Sequence, residues 1–209
     1  MADQYPPSVD DLRTLGCETA VLPAGSILWR VHFTSSAFIT PWNRVRTWGP
    51  VVSARWEPHP LPEADHAPLG AAYLGDDVLT CLAEVFQQTR FVDVDRDDPY
   101  VTALKTTRDV EIADLRGLWL TRAGASAQIA LQQKDRTRAW ARAIHEAWSD
   151  LDGVVAPSAI AGGRPVTALW TDNPMPAAPE FSAPLKSPAV LRDIVAAAGM
   201  IGYQTSVVL

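Results

Sequence analysis

Between Arg30 and Arg55 the chain carries four arginines and no aspartate or glutamate. Arg30, Arg44, Arg46 and Arg55 put a local charge of +4 into a chain whose formal net charge is −6. Trp29, Trp42, Trp48 and Trp56 share the same window. A guanidinium grips phosphate through a planar two-pronged fork, and an aromatic face stacks on a base or a pyridine ring. The combination suits a small anionic aromatic ligand such as a nucleotide. By composition alone the window reads equally as a solvated loop with scattered core tryptophans, and both readings stay open at this point.

Three further residues could carry chemistry. Asp76 or Asp77 is placed to cap a helix predicted to run to about Arg90. Its apolar positions Val78, Leu82, Val85 and Phe86 fall on one face. Glu84 lies off that stripe, beside Thr80, Cys81 and Gln88, where periodicity makes it a solvent-facing carboxylate. Tyr73 lies on a short predicted strand, Ala71 to Gly75, and by pattern is a core residue. Ser158 follows Ala156-Pro157 at a strand end, a position that rigid scaffolds use for sites but where serine is commonly a turn former. No G-x-S-x-G elbow surrounds it, so a hydrolase triad is unsupported. The four histidines show no metal-ligand spacing, and His59 and His66 in a proline-rich segment read as surface residues. Cys17 and Cys81 form neither a disulfide framework nor a metal motif.

The elements that must position these residues alternate along the chain. A short helical stretch near Val9 to Thr14 precedes the first strand, Ile27 to Phe33, which alternates and is rich in β-formers. Val51 to Trp56 is predicted as a second strand, and Glu57 to Pro68 as loop. Tyr100 to Lys105 and Val110 to Leu115 follow as strands. Lys134 to Trp148 reads as a helix with Trp140, Ile144, Ala147 and Trp148 inward. Gly153 to Ala156 and Val166 to Trp170 are two late strands joined by Pro157 to Pro165. Asn173 to Ser187 is predicted as a proline-rich loop, Ser187-Pro188 as the start of a last helix ending at Gly199, and Ile201 to Val208 as a closing strand. Strands outnumber helices and most are joined by loops, so the expected class is α+β rather than doubly wound. No glycine-rich phosphate loop follows a strand.

Length and composition narrow the function classes. At 209 residues with 47% hydrophobic residues, one domain with a full core is expected. The acidic balance, pI about 5.1, argues against a broad nucleic-acid surface. Seventeen prolines exclude a plain helical bundle. The N-terminus is acidic and lacks the pattern of a secretory signal. No apolar run reaches the roughly 18 residues a membrane span needs. A reduced, cytoplasmic protein with no membrane partner is the expectation.

Taken together and in order, the pieces resemble the RES family, named for an Arg, a Glu and a Ser. Its members are toxin halves of a bacterial toxin–antitoxin class and also occur as stand-alone domains. The matching pieces are LWRVH around Arg30, ARWEPHP around Arg55, AAYLGDDVLTCLAEVF spanning Tyr73 and Glu84, and DGVVAPSAIAGG around Ser158. RAWARAIHEAW resembles the family's penultimate helix. The family's Gly-Arg-Phe is Ala54-Arg55-Trp56 here, which leaves the arginine in place. This divides the chain into a lead-in over 1–24, a RES-like domain over 25–172, and a tail over 173–209 packed on the same domain. The tail has no counterpart in the family's minimal toxins.

The resemblance implies a fold similar to the ADP-ribosyltransferase toxins, a single α+β domain with mixed central sheets and flanking helices. It implies cleavage of the nicotinamide–ribose bond of NAD⁺, with phosphate or water as acceptor. Glu84, Arg30, Tyr73 and Ser158 would be the catalytic residues, and Arg55 would bind substrate together with Arg30, Tyr73 and Ser158. Glu84 would stabilise the oxocarbenium ion that grows on the ribose. Neither metal nor organic cofactor is required, since NAD⁺ is consumed. The expected partners are NAD⁺, phosphate and an antitoxin protein, with self-inhibition by the tail as the rival form of restraint. Two other activities remain in view: ADP-ribosylation of a protein, and a non-enzymatic module that binds a nucleotide or a partner.

Overall fold

The period-2 segments of the chain pair into one eight-stranded sheet, and the longer period-3.6 segments cover one of its faces. The computed structural model describes residues 5–126, 128–131 and 133–207. Along the chain the elements are α1 (Val9–Leu15), β1 (Thr19–Leu22), β2 (Ile27–Phe33), β3 (Trp48–Gly49), β4 (Ala64–Asp65), β5 (Ala72–Gly75) and α2 (Val78–Val85). There follow β6 (Phe91–Val92), β7 (Pro99–Lys105), β8 (Val110–Asp114), α3 (Trp119–Arg122), α4 (Lys134–Ala147), β9 (Gly153–Pro157), β10 (Pro165–Leu169), β11 (Phe181–Pro184), α5 (Leu191–Met200) and β12 (Gln204–Thr205). The sheet order is β1-β8-β9-β10-β5-β2-β7-β11. Its β8–β9 pair is parallel and the other pairs are antiparallel, so the expected α+β class with a mixed sheet is what forms.

Alternation along the strands sorts the core. Val154 and Ala156 of β9 face the helices α1, α3 and α4, packing with Trp119, Trp140, Ile144 and Trp170. Val155 points the other way, joining Leu28, Leu74, Leu104, Ile112 and Leu169 under Val45 and Met175 from loops. A third cluster, Leu82, Phe86, Val101, Leu185 and Ile194, lies between α2, α5 and the β2–β7–β11 end of the sheet. The helix face is therefore covered in two halves. Between them β2 and β5 touch through a single register pair, Trp29 with Gly75. At the β9–β10 contact, a Cβ on Gly153 would run into the Ala168 carbonyl, so only glycine permits this approach.

Five expectations are corrected. Val51 to Trp56 is not a strand. The Val51 amide donates to Glu57 Oε2 at 2.7 Å, and Arg138 Nη1 takes the carbonyls of Val51, Val52 and Ala54, so side chains hold the groups a ladder would need. The helix after Asp77, which caps the Thr80 amide at 2.7 Å, stops at Val85 rather than near Arg90. Val85 is 36% exposed, off the core face. The proline-rich segment contains β11, which extends the sheet from β7. Ser187-Pro188 opens a turn, with the Val190 and Leu191 amides on the Ser187 carbonyl, and α5 starts only at Leu191. Of the closing segment Ile201 to Val208, only Gln204–Thr205 is strand, paired with β6, and Val208 lies outside the described residues.

The tail is woven into the core. Leu185, Val190, Ile194, Ala198 and Tyr203 are buried in the cluster that supports α2, and the Tyr203 hydroxyl donates to the Ala83 carbonyl at 3.2 Å. Among the described residues no helix is long and apolar enough to cross a membrane.

Candidate active site

The gap between the two helical halves holds three adjoining cavities, of about 390, 280 and 140 Å³, and Glu84 and Val85 line all three. Glu84 sits at the last turn of α2. Ser158, 6% exposed at the end of β9, donates its hydroxyl to Glu84 Oε1 at 2.6 Å. The same Oγ accepts from the amides of Ile160 at 3.1 Å and Ala161 at 2.7 Å. Two amides thus polarise the hydroxyl, and the hydroxyl fixes one carboxylate oxygen. Gln87 Nε2 steadies the same turn from below, donating to the Glu84 carbonyl at 2.7 Å. The solvent-facing reading of Glu84 does not hold: it is half-buried and points across the gap to Ser158.

Tyr73 on β5 separates the two smaller cavities and lines both. Its hydroxyl donates to the Arg55 carbonyl at 2.8 Å, and burial raises its pKa, so it stays a neutral phenol. This bond ties the loop carrying Arg55 to the sheet. The Arg55 side chain lines the 280 Å³ cavity, half-buried, with Glu84 acting on it electrostatically. Arg30 lies differently from the other four. It lines the 140 Å³ cavity, but its Nη1 donates to the carbonyls of Trp42 at 2.8 Å, Arg44 at 2.9 Å and Pro41 at 3.3 Å. Burial, with Arg46 nearby, lowers its pKa to about 10, leaving it cationic at neutral pH. Its visible work is to brace the loop before Arg46. All five predicted residues therefore meet in one gap, with Arg30 engaged largely by the protein's own backbone.

Pattern reading missed other lining residues. Arg46 and Lys134 join Arg55 along the 280 Å³ cavity. Arg46 is held from behind by Glu57, which is fully buried and also accepts from the Val51 amide. The arginine window contained Arg46, but nothing local set it above Arg44, which pairs instead with Asp172 at 2.7 Å. Of the window's tryptophans only Trp56 borders this cavity; Trp29 and Trp42 pack on the core clusters and Trp48 is exposed.

His59 is fully buried beside Glu57, with its Nδ1 3.6 Å from Glu57 Oε2, which corrects its reading as a surface residue. Burial, aided by Arg46 and His66, lowers its pKa from 6.5 to about 4; burial and Arg30 do the same to His32. Between those two values the unfolded chain binds protons that the fold refuses. The stability these histidines support is fully present above about pH 6.5 and declines as pH falls towards 4, by up to about 1.4 kcal/mol per pH unit for each. The melting temperature, followed by circular dichroism, should therefore drop steadily from pH 6.5 to 4.5. A flat profile over that range would contradict the burial of neutral imidazoles.

Comparison with known proteins agrees with this architecture. The family model described as "RES domain" matches residues 27–188. A chain in the crystal structure of the M. tuberculosis MbcT–MbcA toxin–antitoxin complex aligns with a TM-score of 0.57 at 15% identity, covering 90% of this chain and 96% of that one. At that identity the likeness is one of fold. No curated protein matches the chain in sequence.

Proposed function

This chain belongs to the RES domain family, and on that premise we propose that it cleaves the bond between nicotinamide and ribose in NAD⁺, with phosphate or water as acceptor. The observation that carries the reading is the Glu84 carboxylate, fixed by Ser158 at 2.6 Å where three cavities meet. In the reaction the C1′–N bond breaks with its electron pair passing to the pyridinium nitrogen. Nicotinamide leaves neutral, so no acid is needed at the leaving group. Positive charge grows on the ribose ring, and an anionic carboxylate held without reorganisation stabilises it. Phosphate then bonds C1′ to give ADP-ribose-1″-phosphate, or water adds and releases a proton to give ADP-ribose. Arg55 binds a phosphate group, Tyr73 packs against the ring or the ribose, and Ser158 aims the carboxylate. Arg30 borders the 140 Å³ cavity and holds the loop before Arg46 in place.

The fold likeness to a chain of a toxin–antitoxin complex supports reading this protein as the toxin half of such a pair, restrained by a separate protein partner. Incubating the purified chain with NAD⁺, with and without phosphate, tests the chemistry. Free nicotinamide is the expected product, accompanied by ADP-ribose-1″-phosphate or ADP-ribose. Covalently labelled protein would indicate protein ADP-ribosylation instead, and no turnover would leave a binding module. Arg55→Lys should lower kcat/KM for NAD⁺ on the order of 10- to 100-fold with the fold intact, because lysine lacks the two-pronged geometry. Normal NAD⁺ use by that variant would remove Arg55 from the site.

A further inference from the structure

The two smaller cavities share one edge, formed by Tyr73, Glu84, Val85 and Val166, but differ in what lies beyond it. The 140 Å³ side is walled by Val31 and Leu74 with Arg30 at its margin, room for one aromatic ring. The 280 Å³ side presents three cationic side chains: Arg46, Arg55 and Lys134. Lys134, in the first turn of α4, spends one of its three ammonium hydrogens on the Ser53 carbonyl at 2.6 Å. Arg55 and Glu84 both act on it electrostatically. Arg46 is oriented by buried Glu57. Against these three cations stand the carboxylates of Glu84 and, behind Arg46, Glu57, and the remaining positive charge selects an anion.

We propose that this cationic wall is the subsite of the acceptor phosphate, and that Lys134 decides between phosphate and water as acceptor. The inference rests on the NAD⁺-cleaving reading of the site. With the leaving ring in the apolar cavity, C1′ lies at the shared edge beside Glu84. An anion on the cationic side then faces C1′ from the direction opposite the departing nitrogen. The new bond forms from a phosphate oxygen to C1′ while the C1′–N pair leaves with nicotinamide. Without a cation at Lys134, phosphate is held less well close to Glu84, whose charge repels it, and neutral water gains the advantage.

The test is kinetic, with inorganic phosphate as the probe. Lys134→Met should raise the KM for phosphate about tenfold, the scale of one charge-assisted hydrogen bond. The KM for NAD⁺ should not follow. The ratio of ADP-ribose-1″-phosphate to ADP-ribose should fall in proportion, and Lys134→Arg should restore much of it. A KM for phosphate that Lys134→Met leaves unchanged would refute the proposal. A rise in the KM for NAD⁺ instead would assign the wall to the dinucleotide's own diphosphate and overturn it too. Calorimetric titration of phosphate into the Glu84→Gln chain reads the subsite without turnover. Binding there that weakens with Lys134→Met supports an anion subsite at Lys134 even if NAD⁺ is not the substrate; binding insensitive to Lys134 refutes it.

Discussion

Glu84→Gln should lower NAD⁺ turnover on the order of 10²- to 10³-fold, the usual cost of losing a main electrostatic stabiliser. Glutamine keeps the side-chain length and an acceptor oxygen for the Ser158 hydroxyl, which sits 2.6 Å from Glu84 Oε1. Only the negative charge is lost. Circular dichroism and thermal melting should therefore match the parent chain while nicotinamide release collapses. Growth arrest and NAD⁺ depletion on expression, if the parent causes them, should vanish together in the variant. Parent-like turnover would remove Glu84 from its role in the reaction.

Ending the chain at Asp172 should abolish cooperative folding. That deletion removes β11 from the sheet edge and α5 from beneath α2. Leu185, Ile194 and Ala198, each fully buried, leave the cluster containing Leu82 and Phe86. Burial of one large apolar side chain contributes about 1.5–3 kcal/mol, and a whole domain is stable by only about 5–15 kcal/mol. Several such losses at once exceed what the remaining fold can absorb. The tail thus supports the helix that carries Glu84. Among the described residues, none beyond position 172 lines the three cavities around Glu84. A truncated chain that melts cooperatively and turns over NAD⁺ faster would instead make the tail a cover over the site.

Local pattern was enough for β2, β7, β8, β9 and β10, whose runs of strand-forming residues are buried along most of their length between two layers, and for α4, which buries one face. Val51 to Trp56 has the composition of a strand and forms none. Its backbone partners are Glu57 and the distant Arg138, and no pattern within six residues announces an arginine 84 to 87 positions away. His59 looked like an exposed loop residue because prolines surround it. It is buried because the loop folds back over Glu57 and Arg46.

The sequence by itself determined the α+β class, the order of the five motif residues and, through that order, the family. Those features depend on residue type and on spacing along the chain, which the sequence contains. Only the tertiary structure decided which way the side chains face. Periodicity put Glu84 towards solvent because the apolar stripe of α2 ran elsewhere. In the fold, that polar side faces the gap in the sheet's helical cover, where Ser158 arrives from 74 residues away. The same geometry turned Arg30 towards the carbonyls of the loop before Arg46 and gathered Arg46, Arg55 and Lys134 on one wall. A helix has one polar side in sequence, but whether that side meets water or an active site depends on what the rest of the chain packs beside it.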